Sequence, residues 1–165
     1  MKPDYVCKML ECSACRNARA NFFTSTSSYA LRLDSCMNTN VKRFGWLEPD
    51  ELKRKTQEAS QLLSIAEVEG KQMSSKIFGY IATGKPVVHI YTAEDDVNMR
   101  YLQHYPLALC LKADPLKIEQ NSRLLSLWCV WSYGQRVSWS DVLDEFEDLT
   151  PEFVAKKLLS VGAFE

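Results

Sequence analysis

The sequence lacks long apolar runs and glycine-rich phosphate loops and has only two histidines. No window approaches the ~20 apolar residues of a membrane-spanning helix. The N-terminus lacks the basic-then-apolar order of a signal peptide. Neither G-x-x-x-x-G-K-[ST] nor G-x-G-x-x-G occurs, which argues against a P-loop ATPase and a simple Rossmann dehydrogenase. His89 and His104 stand beside no nucleophile motif, so we expect structural or surface histidines rather than the base of a hydrolase.

The sequence has no excess of basic residues. The 165 residues include 20 Lys and Arg against 21 Asp and Glu, for a net charge of -1. A nucleic-acid duplex or an anionic membrane surface is therefore not indicated as a partner, and an anionic ligand must be held locally. At 46% hydrophobic residues, a chain of this length can bury one core. We expect a single cytoplasmic domain, with no nucleic-acid partner and no transmembrane segment.

Metal binding is weakly indicated. Cys110 and Cys129 lie in apolar runs, where a free cysteine acts as a small hydrophobe. Four cysteines of the N-terminal third could supply zinc ligands: Cys7, Cys12, Cys15 and Cys36. The alternative, a frayed and partly helical segment with incidental thiols, is favoured, and all six cysteines are expected as thiols. Three adjacent acids, 94–96, are usually a solvated surface, so no metal site is predicted.

Apolar, β-prone runs alternate with helical patterns along the chain. The predicted strands are ANFFTS (20–25), VKRF (41–44), QLLSI (61–65), PVVHIY (86–91) and LALCL (107–111). Helical patterns follow them, at 28–37, from Pro49, at 74–83, over 114–134, at 140–146 and from Thr150. This alternation predicts an α/β fold: a single doubly wound, Rossmann-like domain with a mostly parallel sheet and helices on both faces. We place it at residues 20–165, after a poorly defined segment 1–19.

The stretch SSKIFGYIATGKPVVHIY is the best candidate for a binding site. In parallel sheets ligands bind outside the carboxyl ends of the strands, which points to the loop 66–73 and the following helix start. There, Ser74, Ser75 and Lys76 would offer backbone N–H groups and a positive charge to a phosphate or carboxylate. The alternative is an ordinary serine cap on a helix that binds nothing. Gly84 is expected just past the helix end, and Gly79 costs the helix about 1 kcal/mol relative to alanine.

The same stretch closely resembles the S-K-I-F-E-Y-x-A-x-G-K-P-[VI]-[VI] signature of GT-B glycosyltransferases. The signature belongs to their C-terminal, nucleotide-sugar-binding domain, especially in bacterial enzymes that build cell-surface polysaccharides. Upstream, VKRFGWLEPDELKRKTQEASQLLSI is similar to the family's strand, Gly-Trp corner, helix and strand. The closing DLTPEFVAKKLL is similar to its final helix. The resemblance covers roughly residues 20–159, with several motifs in the correct order.

The resemblance implies a donor site for a UDP- or GDP-sugar, used for glycosyl transfer without an obligatory metal or other cofactor. The corner Gly45, Trp46 and Leu47 would border the nucleobase. Ser74, Ser75 and Lys76 would meet the diphosphate, with Gly79 and Tyr80 in the same site. The structural alternatives are a packing role for Trp46 and a solvated helix-start position for Lys76. Catalytic residues are not identified.

Two departures from the family bear on activity. Gly79 stands where relatives commonly have a glutamate that accepts hydrogen bonds from the ribose, and Lys71 stands where many have an acid near the sugar. A GT-B enzyme also needs two Rossmann-like domains. We therefore expect a fragment, one half of a split protein or a relative that has lost catalysis, with a separate acceptor-binding domain that could also hold it at the membrane. The alternative is a catalytically inactive α/β interaction module, with Trp128, Trp131, Tyr133 and Trp139 as its contact surface.

Overall fold

The structure is a computed structural model that describes residues 4–15, 17–24, 33, 40–67 and 69–161. Seven helices lie in these ranges: α1 (Asp4–Glu11), α2 (Pro49–Glu58), α3 (Ser75–Ala82), α4 (Met99–Leu102), α5 (Ile118–Trp131), α6 (Trp139–Glu145) and α7 (Pro151–Val161). Five strands accompany them: β1 (Ala20–Phe23), β2 (Val41–Phe44), β3 (Leu62–Ile65), β4 (Val87–Tyr91) and β5 (Ala108–Lys112). Short 3₁₀ turns occupy Ser13–Cys15, Pro115–Lys117 and Glu147–Leu149.

The alternation of parallel strands with helices confirms the predicted α/β class. The helix predicted at 28–37 lies outside the described residues except for the buried, helical Leu33.

All the described strand pairs are parallel, but they form two sheets. β1 pairs with β2, and β3, β4 and β5 pair in that order. Leu62 lies opposite Val87, which lies opposite Ala108 on the next strand. The prediction had placed all strands in a single sheet. Within the described residues only β4 pairs with β3, so β3 is an edge strand of its sheet there.

Helices cover both faces of the three-stranded sheet, because side chains alternate along each strand. Val88 and Ile90 of β4 point into a core shared with α1 and α5. Val87 points to the other side, where it packs with Ile77 of α3 and Leu102 of α4. The first core also contains residues of β1 and β2. The two sheets therefore contribute to one hydrophobic core.

The N-terminal segment is more ordered than the sequence indicated. Five residues of α1 are buried: Tyr5, Val6, Cys7, Met9 and Leu10. Side-chain hydrogen bonds attach α1 to α5, since Ser122 donates to the carbonyl of Met9 at 2.9 Å. The Tyr5 hydroxyl accepts a bond from Asn121 at 2.8 Å. The prediction of a frayed segment was wrong because α1 packs on α5, which lies more than 100 residues away along the chain.

The cysteines also depart from expectation. Cys7 is disulfide-bonded, so it is not a thiol as predicted. Cys12, Cys15, Cys110 and Cys129 are free. Burial raises the pKa of the Cys110 thiol to about 11, and Cys129 packs partly buried against the core. These two keep the inert, core-like role that their apolar surroundings predicted.

Lys85 joins helix α2 to the start of β4. Its ammonium group donates to the carbonyl oxygens of Thr56, Gln57 and Ala59 at 2.7, 2.5 and 2.5 Å. These carbonyls belong to the last turn of α2, where no intrahelical donor remains. A cation is also favoured at this negative end of the helix dipole. The lysine of the Gly-Lys-Pro segment therefore caps the end of a helix in the interior of the protein. Its burial lowers the pKa of the ammonium group.

Gly84 ends helix α3, as predicted. Its φ of +67° lies in the left-handed region, and its N–H donates to the carbonyl of Ile81 at 2.9 Å. A Cβ at this position would collide with the carbonyl oxygen of Val137. Val137 in turn donates its N–H to the Gly84 carbonyl at 2.9 Å. Conformation and close approach both require glycine here.

Replacement of Lys85 by methionine is expected to destabilise the protein. The Lys85→Met variant keeps the stem of the side chain but leaves three helix-end carbonyls without their charged donor. We expect the free energy of unfolding to fall by about 3 kcal/mol, as for the loss of buried hydrogen bonds to a charged group. Urea unfolding followed by circular dichroism measures the change. Lys53→Met, at an exposed position of α2, is the control and should change stability by less than about 0.5 kcal/mol. Equal stability of the two variants would contradict the capping role.

Candidate functional site

The start of α3 lies beyond the carboxyl end of β3 and presents free backbone donors. Ser74 is the N-cap residue, with extended backbone angles, but its hydroxyl makes no capping bond. Instead the side-chain oxygen of Asn98 accepts the N–H of Ser74 at 2.9 Å. Within the described part of the chain, the N–H groups of Ser75 and Lys76 have no hydrogen-bond acceptor. Both side chains are exposed. The helix start can therefore receive an anion, with the Lys76 ammonium close by.

Two loops meet at this edge because β3 and β4 are parallel neighbours. The carbonyl of Gly70 in the first loop accepts the N–H of Val97 in the second at 2.9 Å. Gly70 has a φ of +68° and is packed so closely that a Cβ would lie 2.7 Å from the Cβ of Ala93. Glu67 accepts the N–H groups of Lys71 and Gln72 at 2.9 and 3.1 Å. The first loop is thus held both by its own carboxylate and by its neighbour.

A buried polar network fixes the second loop. The carboxylate oxygen Oδ1 of Asp96 accepts the backbone N–H of Asn98 at 2.8 Å and its side-chain Nδ2 at 2.7 Å. Its Oδ2 faces Nε2 of His89 at 3.6 Å. Nδ1 of His89 lies 3.1 Å from the hydroxyl of Ser64 on β3. The network therefore runs from β3 through β4 to Asn98 and the first turn of α3.

Asp96 corrects a prediction from the sequence. The acidic residues 94–96 were expected on a solvated surface. Glu94 and Asp95 are exposed, but Asp96 is 3% exposed. Its burial is assisted by Asn98, which donates two N–H groups to one oxygen of the carboxylate.

His89 and Ser64 do not form a hydrolytic site, despite their contact with an aspartate. His89 is fully buried and Ser64 nearly so, so a substrate cannot reach the hydroxyl. Burial lowers the pKa of His89, and the opposing attraction of Asp96 is the smaller effect. The ring is a neutral, structural group that links two strands. The other histidine, His104, is exposed beside Glu145 at 3.4 Å.

Gly79 and Tyr80 lie farther along α3 and have different surroundings. Gly79 is exposed, and a Cβ there would meet no atom within 4 Å. Its place in the helix is therefore not required by packing. Tyr80 is partly buried against the second core, and its pKa is raised by that burial. Its ring is chiefly a packing group of the helix.

The corner Gly45, Trp46 and Leu47 follows the carboxyl end of β2. The Trp46 side chain is 72% exposed, so the packing role considered for it is wrong. Phe44, just before the corner, stacks on Phe23 with ring centroids 5.1 Å apart. The described contacts bring Ser74, Ser75 and Lys76 together at one helix start, but they do not join this corner to it. No group of three or more His, Cys, Asp or Glu residues suited to a metal ion occurs among the described residues.

Sequence reasoning missed Asn98 and Asp96, which hold the helix start. A usable signal was present, because Asp-x-Asn in a loop is typical of a side chain that bonds to the backbone two residues farther along. It was read as part of an acidic surface. The helix start itself was correctly located, but the capping group was assigned to Ser74 rather than to a residue 24 positions later.

Titration of His89 tests whether burial, which lowers its pKa, outweighs the attraction of Asp96, which raises it. His104→Gln leaves His89 as the only histidine, so a single imidazole titrates in the NMR spectrum. We expect its midpoint below the ordinary value of 6.5, because desolvation outweighs the nearby carboxylate. Because the folded-state pKa lies below that of the unfolded chain, the unfolded chain takes up a proton at His89 first as the pH falls. The free energy of unfolding should therefore decrease as the pH drops below 6.5. A midpoint at or above 6.5 would show that Asp96 dominates.

Comparisons with known proteins identify no relative. No protein-family model matches the chain, and neither the curated proteins nor the solved structures include a significant match. Among the described residues, no helix combines the length and apolar character needed to cross a membrane. The functional interpretation therefore rests on the residues and geometry of the site.

Proposed function

We propose that this chain is the donor-binding half of a GT-B glycosyltransferase and that it binds a UDP- or GDP-sugar. The observation that supports the proposal is the start of α3, where the N–H groups of Ser75 and Lys76 have no acceptor among the described residues and the Lys76 side chain is exposed. The segment that resembles the family's diphosphate-binding signature thus coincides with a set of backbone donors and a lysine. A diphosphate is the chemical group that such a set binds.

The same donors would assist transfer of the sugar. When the bond between sugar and nucleoside diphosphate breaks, the leaving group gains negative charge. Fixed N–H dipoles and an ammonium group stabilise this charge without having to reorganise. This chemistry requires no metal ion. The acceptor, in the synthesis of cell-surface polysaccharide, would be bound by a separate domain or chain that completes the cleft.

We also propose that the two sheets are parts of one doubly wound, Rossmann-like layer, half of a GT-B fold. Three features support this assignment. All described strand pairs are parallel, both sheets share a core, and helices cover both faces of β3, β4 and β5. In this arrangement the Gly45–Leu47 corner and the start of α3 would both lie at the carboxyl edge of the layer.

A second candidate function is a catalytically inactive interaction module. Gly79 leaves the helix without the carboxylate that would accept the ribose hydroxyls. Trp131, Tyr133 and Trp139 are 56%, 74% and 57% exposed, and exposed aromatic side chains are enriched at protein interfaces. Trp128, the fourth predicted contact residue, is partly buried and packs against the core. The absence of nucleotide binding would favour this candidate.

Isothermal titration calorimetry with UDP, GDP and their sugars tests the donor site. We expect binding of at least one of them, and Lys76→Ala should weaken it about tenfold by removing a charged phosphate contact. Lys53→Ala, which removes an exposed lysine from α2, is the matched control and should leave the affinity unchanged. The proposal fails if no nucleotide binds, or if the two alanine variants bind equally well.

The exposed Gly79 offers a test of the ribose contact. Because a side chain fits here without collision, Gly79→Glu should fold and tighten nucleotide binding about tenfold by adding a charged acceptor. Gly79→Ala is the control: it should stabilise the helix by about 1 kcal/mol without changing the affinity. Unchanged binding by a folded Gly79→Glu variant would argue against ribose at this position.

A further inference from the structure

Helix α5 exposes an apolar face that nothing in the described chain covers. Its opposite face is buried through Asn121, Ser122 and Leu125. On the exposed side, an open groove of about 380 Å³ is lined by Leu116, Glu119, Gln120, Arg123, Leu124 and Leu127. Leu116 is 94% exposed and Leu127 is 69% exposed. Exposed leucines gathered in one concave surface are typical of an interaction site.

Among the described residues, helix α7 near the end of the chain packs against little beyond its neighbouring turn. Its main contact with another element is the adjoining turn Glu147–Leu149. Leu158 and Leu159 are 68% and 75% exposed, so they do not fill the groove of their own α5. The described part of the chain thus holds a loosely packed helix together with a groove that it does not fill.

The charges of the two elements match in one orientation. Glu119 and Arg123 are four residues apart on α5, and Glu152 and Lys156 are four residues apart on α7. Each pair therefore spans about 6 Å along its helix on one face.

An antiparallel approach places each acid opposite a base. Glu119 then meets Lys156, and Arg123 meets Glu152. The same register brings Leu159 opposite Leu116, three residues farther along in each case. A parallel approach would instead oppose Glu119 to Glu152 and Arg123 to Lys156. All four charged side chains are exposed, and the pair that Glu119 and Arg123 form with each other, at 4.0 Å, is loose enough to be exchanged for contacts with a second helix.

We propose that two copies of this chain associate by reciprocal exchange of α7, with each C-terminal helix lying antiparallel in the α5 groove of the other copy. Such a contact is a helix in a groove, used twice about a two-fold axis. Leucines supply the buried surface, and the charge order sets the direction of the helix. No residue of this surface belongs to the proposed nucleotide site, so the two proposals stand or fall separately.

Sedimentation velocity tests the dimer, at up to about 100 μM because small interfaces bind weakly. The unmodified chain should form a dimer. Leu159→Asp should be monomeric, whereas Leu52→Asp, at an exposed leucine of α2, should remain dimeric. Circular dichroism establishes that both variants are folded. A parent chain that stays monomeric, or a dimer that is insensitive to Leu159→Asp, would overturn the proposal.

Charge reversal distinguishes exchange between copies from docking within one copy. Glu119→Lys alone or Lys156→Glu alone creates two like-charged contacts per dimer and should weaken association about tenfold. An equimolar mixture of the two variants forms a heterodimer in which both contacts are again complementary, so it should regain the parent affinity. If mixing restores nothing, α7 does not pack between copies in this register.

Discussion

Parallel pairing of β3 with β4 is the constraint on which the candidate site depends. The register from Leu62 opposite Val87 to Ile65 opposite Ile90 ends both strands at the same edge. The chain leaves each strand there through a loop, so the two loops must meet. The bond between Gly70 and Val97 and the contact of Asn98 with Ser74 follow from that meeting. A slip of the pairing by one residue would turn the inward side chains to the opposite face and separate these partners.

The buried carboxylate of Asp96 determines how the loops are joined. An isolated charge in the interior is costly, so a buried carboxylate needs hydrogen-bond donors. Oδ1 receives two N–H groups of Asn98, whereas Oδ2 lies 3.6 Å from Nε2 of His89, and neither of these last two atoms has a hydrogen-bond partner among the described residues. Since Asn98 is held on one side by this carboxylate, its side-chain oxygen is fixed toward Ser74. The helix start therefore takes its position from the second loop rather than from its own serine.

The sequence predicted the features that depend on local pattern and missed those that depend on distant partners. VKRF was assigned correctly to a strand and Gly84 to a helix end, because β-propensity and backbone conformation act over a few residues. The helix α1 was missed, since eight residues form a stable helix only with tertiary contacts. Lys85 gave no local sign that it caps a helix that ends some 26 residues earlier. The division into two sheets could not be predicted, because an alternation of strands and helices along the chain indicates parallel pairing but not which strands pair with each other.

Distant contacts also fix helix α3, which carries the proposed diphosphate site. Both ends of this helix are fixed, by Asn98 at its start and by the contact of Gly84 with Val137 at its end. A helix held in this way keeps the N–H groups of its first turn pointing in one direction, which is the preorganisation that the proposed transfer reaction would need. Gly79 lies between the two fixed points, is exposed and touches nothing, so its identity affects no packing. Under the proposed function, recognition of the diphosphate and recognition of the ribose could therefore change independently on this helix. A nucleotide bound as proposed would lack a carboxylate contact at Gly79, while the helix start would still offer its donors to the diphosphate.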